Sequence, residues 1–205
     1  MSLDTYTNLK AAIADELVDT SITDSQIEDF ITLAEARHRS EVRIRELLIR
    51  TNLSMSSRFT SLPTRFAGEY SLRLLTNPVT PLESVSMAEI NENRSEGNGR
   101  PALYTTHVEI EVDIVPEETY DAEIIYYSYP LPLSDSNPSN EILARDPNLY
   151  LYGACLHAAP FLAHDERLPT WNQLYEGHLD ALKLSSKKER RSGHMVQRLK
   201  GRRTP

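Results

Sequence analysis

Cysteine is nearly absent: Cys155 is the only one, so no internal disulfide can form. That fits folding and assembly in a reducing cytosol. No stretch approaches the roughly 20 consecutive apolar residues that a membrane-spanning helix needs. Met1-Ser2-Leu3-Asp4-Thr5 has neither a basic nor an apolar leader region, which argues against a signal peptide. The familiar catalytic signatures are missing too. The chain has no Gly-x-Ser-x-Gly, no P-loop, no Gly-x-Gly-x-x-Gly, no His-Glu-x-x-His and no cysteine cluster. Internal repeats and low-complexity segments are also lacking.

What is present is an ordinary soluble composition, 40% hydrophobic and 25% charged over 205 residues, enough for one or two domains. The charge is unevenly placed. From Lys183 to Pro205 there are nine Lys or Arg and one acid, Glu189, a net of +8; with −8 for the whole chain, residues 1–182 carry −16. An acidic body with a basic tail implies that the tail meets something negative: nucleic acid, an acidic protein surface, or the acidic face of a neighbouring copy.

Proline divides the chain, nine of twelve falling between Pro63 and Pro147. The spacing of Leu9, Ala12, Ile13 and Leu17 predicts a helix from near Thr7 or Asn8 to Leu17. Thr23-Asp24-Ser25-Gln26 has the form of a capping box. After it, Ile27, Phe30, Ile31, Ala34, His38 and Val42 form an apolar stripe, with Glu35, Arg37, Arg39, Glu41 and Arg43 on the opposite face of an amphipathic helix. From about Leu48 the period turns toward two. Val108 to Ile114 alternates strictly and predicts a half-buried strand with Glu109, Glu111 and Asp113 outward; Ala122 to Tyr127 predicts a second. Glu69 to Leu75 and Ala102 to Thr106 are weaker strand candidates. Ser86 to Asn93 reads as a short helix, Ser95 to Pro101 as a turn or loop, and Pro130 to Pro138 as an extended linker.

Asp146-Pro147 is a helix start, an acid cap followed by proline at the first helical position. The apolar residues of the helix after it, Leu149 to Ala163, run all the way round, which predicts burial on every side and a kink near Pro160. A last helix from Asp165 or Glu166 places Leu168, Trp171, Tyr175, His178, Leu179 and Leu182 on one face and fades near Lys187. The expected fold class is α+β: an antiparallel helical bundle formed by the N- and C-terminal helices, with a β-rich insertion and an extended C-terminal tail. The corresponding divisions are 1–47, 48–132, 133–186 and 187–205.

Candidate site residues are few. His157 and His164 are seven apart without a carboxylate at ligand spacing between them, so neither metal nor cofactor is expected. His38 and His178 read as edges of packed faces, and His164 as part of a turn. Cys155 and His157, two apart on a helix, diverge, which makes Cys155 a small buried hydrophobe. Tyr126, Tyr127 and Tyr129 could stack bases but lie in an acidic region, so core packing or a subunit contact suits them better. Trp171 reads as a core anchor. The basic tail is the one binding element: Lys187, Lys188, Arg190, Arg191, Arg198, Lys200, Arg202 and Arg203, with Met195, Val196 and Leu199 among them.

An ordered series of landmarks resembles the head-to-tail adaptor (connector) proteins of tailed bacteriophages. It comprises Leu33-Ala34-Glu35-Ala36-Arg37, Leu62-Pro63-Thr64-Arg65-Phe66, Gly99-Arg100-Pro101 before Tyr104, and Tyr126-Tyr127 before Leu133-Ser134-Asp135 and Pro138-Ser139-Asn140. Leu149-Tyr150-Leu151-Tyr152-Gly153, Ala158-Ala159-Pro160-Phe161-Leu162 and Asp165-Glu166-Arg167 complete it. Arg65 stands where such proteins often carry an acid, and Glu141 where an aromatic often follows the Asn. The resemblance implies a non-enzymatic virion protein at the head–tail interface, assembled in the bacterial host cytoplasm as a ring of about twelve copies under the portal. It implies a bundle forming the ring wall, a β-rich part facing tail or nozzle proteins, and 187–205 as an arm that clamps the portal. Genomic DNA would pass through the centre, where an acidic wall repels it; no membrane is implied.

Two other functions fit some residues. A neck-associated peptidoglycan hydrolase would need two acids across a cleft, with Glu109 or Glu111 the available pair. A nucleic-acid-binding module working through the tail would bind DNA with steep salt dependence and lose it on truncation at Ser186 with portal binding intact; the adaptor reading expects the reverse.

Overall fold

The computed structural model describes residues 3–18, 21–162 and 166–190. Local capping chemistry sets the helix starts. Helix α1 (Tyr6–Leu17) begins where the Thr5 hydroxyl accepts the Asn8 N–H, and it ends at Val18 in the left-handed region at φ 56°. The expected Thr23–Gln26 capping box is formed at the head of α2 (Asp24–Glu41). The stripe Ile27, Phe30, Ile31, Ala34, His38 and Val42 is buried as its spacing required. A 3-10 turn (Arg45–Leu47) then leads into sheet.

Ten strands follow: β1 (Leu48–Met55), β2 (Phe59–Ser61), β3 (Phe66–Leu74), β4 (Thr80–Pro81), β5 (Glu83–Ser84), β6 (Asn98–Gly99), β7 (Leu103–Thr106), β8 (Glu109–Val112), β9 (Val115–Pro116) and β10 (Tyr120–Ser128). The short α3 (Met87–Glu92) lies among them, capped by Ser86 where the sequence placed it. One sheet has the order β1-β10-β3-β4, a second β2-β8-β7-β5, and β6 pairs with β9. Strand β10 is central, antiparallel to β1 on one edge and β3 on the other. Its pairing with β3 slips between Ile125 and Tyr126 and again between Tyr127 and Ser128, the bulges that increase twist and bend a strand.

The chain returns to helix at α4 (Glu141–Arg145), capped by Asn140, and α5 (Pro147–His157), capped by Asp146 with proline at its first turn. Helix α5 packs against α1, α2 and α6 together, which explains its all-round apolar composition. Leu149, Tyr150, Leu151, Gly153, Ala154 and Cys155 are buried, while Tyr152, Leu156 and His157 stay half-exposed. Helix α5 does not kink at Pro160. It stops at His157, and Ala159–Phe161 forms a separate 3-10 turn, because proline cannot supply the next helical N–H. The last helix, α6, spans Leu168–Arg190.

Two cores result. The helical core joins α1, α2, α4, α5 and α6 through residues such as Leu9, Ile13, Phe30, Ile31, Tyr150, Trp171 and Tyr175. The β core gathers Met55, Leu72, Leu74, Tyr104, Ile110, Val112, Ile124 and Tyr126. Full burial of each such side chain contributes about 1.5–3 kcal/mol. Tyr127 belongs to the helical core and its neighbour Tyr126 to the β core, the pleat sending successive side chains to opposite faces.

The expected antiparallel helical bundle with a β-rich insertion is therefore corrected. The described residues make a mixed fold of six α-helices and ten strands in several sheets, with a β core of its own. The sequence understated the β part because four of its strands are two residues long and owe their form to distant partners rather than to local alternation. Nor is the start of the tail extended: α6 stays helical through Lys187 and Lys188 to Arg190.

Candidate interaction surfaces

The basic arm leaves the fold from an anchored point. Arg145 on α4 reaches Glu46 at 2.6 Å and also bonds Glu189 and Ser185 near the end of α6. The Arg45 N–H donates to the buried Ser186 hydroxyl at 3.0 Å. These contacts fix the last turns of α6 against the body. Lys187 and Lys188 project, exposed, from those turns. The side chain of Arg190, and Arg191, Arg198, Lys200, Arg202 and Arg203 entirely, lie outside the described residues.

At the other end of α6, Arg167 donates to the Glu16 and Leu17 carbonyls at 2.6 and 3.1 Å. A cation at a helix C-terminus meets the negative end of its dipole. The same guanidinium sits over the Trp171 ring at 4.7 Å, and the Trp171 indole N–H donates to Glu16 at 2.9 Å. Trp171 is thus a core anchor, 1% exposed, and Arg167, just ahead of α6, ties that helix's start to the end of α1; Asp165 lies outside the described residues. His164 falls outside the described residues.

A buried polar centre, unforeseen in the sequence, holds the helices in register. Glu35, expected on the charged face of α2, is instead buried. It accepts the Leu133 N–H at 2.8 Å and the Tyr150 hydroxyl at 3.3 Å. Asn140 donates to the Tyr150 oxygen at 2.7 Å while capping α4. Burial raises the Glu35 pKa; the two hydrogen bonds oppose that shift. His38 stands edge-on to Tyr150 at 4.6 Å and parallel to Tyr175 at 6.1 Å. It is wholly buried, not at the edge of a face, and neither ring nitrogen makes a well-formed hydrogen bond among the described residues, the Leu149 backbone being its nearest polar partner. Burial pushes its pKa down to about 4, so the ring is neutral at pH 7. His178 is at an edge, half-exposed, its Nδ1 2.8 Å from Asp146.

The acids of β8 do not share an outward face. Glu111 is buried, 3.7 Å from Arg94 and 3.9 Å from His107. Asp113 accepts the Ala102 and Leu103 N–H groups. Val108, expected inward, is 84% exposed because the β7–β8 turn precedes the strand. Glu109 and Glu111 therefore do not face each other across a cleft. Tyr126 and Tyr127 are core residues. Cys155 is buried in α5, with the half-exposed His157 two positions on. Among the described residues no three His, Cys, Asp or Glu gather as a metal site, and no helix is long and apolar enough to cross a membrane.

An open groove of about 560 Å³ lies between the end of α2 and the chain leaving β10. Ala36, Arg39, Ser40, Arg43, Arg65, Tyr129, Pro130 and Pro132 line it. Arg43 is fixed by bonds to the Arg39, Val42 and Ala67 carbonyls, and its guanidinium lies 5.9 Å from the Tyr129 ring centre. Arg65 sits in the left-handed region at φ 59°. It exchanges two bonds with Tyr129: its guanidinium donates to the Tyr129 carbonyl at 3.1 Å, and the Tyr129 N–H donates back at 2.7 Å.

Comparison with curated proteins finds no match. A sequence profile of the SU10 adaptor protein family matches residues 4–199, nearly the full chain and all of its described helices and strands. The chain belongs to the SU10 adaptor protein family, a family of phage head-to-tail adaptors.

Proposed function

We propose that this chain forms a ring beneath the portal of a tailed phage and joins it to the tail. The family membership over residues 4–199 carries the reading, because that family supplies the adaptors of phage head–tail junctions. In this proposal residues 1–47 and 133–186 form the ring wall around the DNA channel, and 48–132 meets tail or nozzle proteins. Residues 187–205 form the arm that holds the portal, with Lys187, Lys188, Arg190, Arg191, Arg198, Lys200, Arg202 and Arg203 as its contacts. Three features support this division. The helices share one core. The arm starts from a helix end pinned by Arg145. Residues 1–182 carry −16, which keeps DNA from adhering to a channel wall.

The test is assembly on purified portal, observed by negative-stain imaging. The full chain should add a ring to one face of the portal. A chain truncated after Glu189, which keeps the Arg145 clamp, should fold with unchanged melting temperature and fail to bind. A full chain that adds no ring to any portal surface would refute the proposal.

A further inference from the structure

The arginine groove has unspent charge. Arg37, Arg50, Arg73, Arg94 and Arg145 each lie within 4.0 Å of a carboxylate. Arg39, Arg43 and Arg65 have no such partner among the described residues, although the body around them carries a large excess of acid. Arg43 and Arg65 are held in place by carbonyls, and the exposed Arg39 side chain has no hydrogen bond or ion pair among the described residues, its one electrostatic interaction being at longer range with the buried Glu35. Preorganised guanidinium groups recognise carboxylates by paired N–H donors. Tyr129, Pro130, Pro132 and Ala36 give the groove the mixed lining that suits a peptide segment.

The complementary acids lie at the opposite end of the same strand. From Pro101 to Ala144 the chain carries nine Asp or Glu and no Lys or Arg. Glu117, Glu118 and Asp121, at the turn entering β10, are exposed and form no ion pair among the described residues. Strand β10 begins at Tyr120 and ends at Ser128, directly before Tyr129 of the groove. At about 3.3 Å per residue the two ends are separated by ~26 Å. They cannot meet within one protomer, but a second copy placed head to tail brings them together. Such a heterologous contact closes into a ring when its rotation allows.

We infer that the Arg39–Arg43–Arg65 groove receives the Glu117–Asp121 turn of a second copy of this chain. The inference rests on the ring proposed above and names the contact that would build it. Arg39 forms the outer, adjustable edge of the seat, and Arg43 and Arg65 its fixed floor. Glu117 already accepts the Tyr120 hydroxyl at 3.1 Å, so the contact assigns the exposed Glu118 to Arg39.

The experiment uses full-length chain assembled on portal. Ser40→Cys and Glu118→Cys on separate copies, mixed and treated with a bismaleimide linker, should give covalent dimers only in the assembled state. Arg39→Glu should leave the melting temperature unchanged and weaken assembly by about tenfold or more; Glu118→Arg on the same chain should restore it. Rings that form with no cross-link, or Arg39→Glu rings that form as well as wild type, overturn the groove contact and leave the ring standing. So does an assembly defect that Glu118→Arg fails to relieve. If Arg39→Glu instead loses affinity for a duplex DNA probe while assembly is unchanged, the groove serves nucleic acid and the inference is wrong. Failure of wild type to assemble at all would strike the ring reading itself.

Discussion

Tyr150 donates its hydroxyl to Glu35, 115 positions earlier in the chain, at 3.3 Å. The bond links α5 to α2 across the helical core, and Asn140 closes the chain of donors behind it at 2.7 Å. Tyr150→Phe removes the shared oxygen and leaves one Asn140 N–H and one Glu35 contact unmatched in a buried site, while the other Asn140 N–H keeps the Leu131 carbonyl at 2.9 Å. The expected cost is about 1–3 kcal/mol, read as a lower midpoint in urea with the slope unchanged. An unaltered midpoint would mean that the Leu133 N–H alone satisfies Glu35.

His38 gives the fold an acid-sensitive component. Its pKa is about 4 in the folded chain against 6.5 for an open histidine. Between those values the unfolded state binds more protons, so stability is full above about pH 6.5 and falls as pH drops toward 4, by roughly 3 kcal/mol from this group. Glu35 acts with the opposite sign. Its raised pKa means that the folded state holds the proton more tightly, which favours folding at low pH and is lost as pH rises through its folded value. His38→Phe should flatten the decline between pH 6.5 and 4.5 in urea titrations. An identical slope in wild type and variant would refute this.

Arg167→Ala should loosen the α1–α6 corner. It removes two charge-assisted bonds to carbonyls and the guanidinium stacked on Trp171. A loss of about 1.5–3 kcal/mol is expected, together with a shift in Trp171 fluorescence before global unfolding. The chain has a single tryptophan, so the signal is unambiguous.

Val18 ends α1 in a left-handed conformation, with φ 56° and 76% of its surface exposed. A β-branched side chain is strained there, and glycine is the residue that position favours. Val18→Gly should raise stability by about 1 kcal/mol. A lower melting temperature would refute this.

The local parts of this structure were legible in the sequence. Thr23 with Gln26, Ser86, and Asp146 with Pro147 mark helix starts through bonds to residues two or three positions away. Strands β8 and β10 were visible because Ile110 and Val112 alternate with acids in the sequence and Ile124 to Tyr127 is a run of β-formers, although burial itself does not alternate along either strand. What escaped depends on long-range placement. Glu35 looks like a surface acid until the Leu133 N–H, 98 positions on, arrives beside it. The two-residue strands β4, β5, β6 and β9 have no period to detect. The arginine groove joins three separate stretches, the end of α2, the turn before β3 and the chain leaving β10, and no local pattern connects them.

The adjacent pair Tyr126 and Tyr127 points into different cores, and this bears on how the molecule carries load. A strand whose neighbouring rings are clamped above and below behaves as a common partition, with no slack joint along it. Load applied to either core is therefore expected to reach the other through β10.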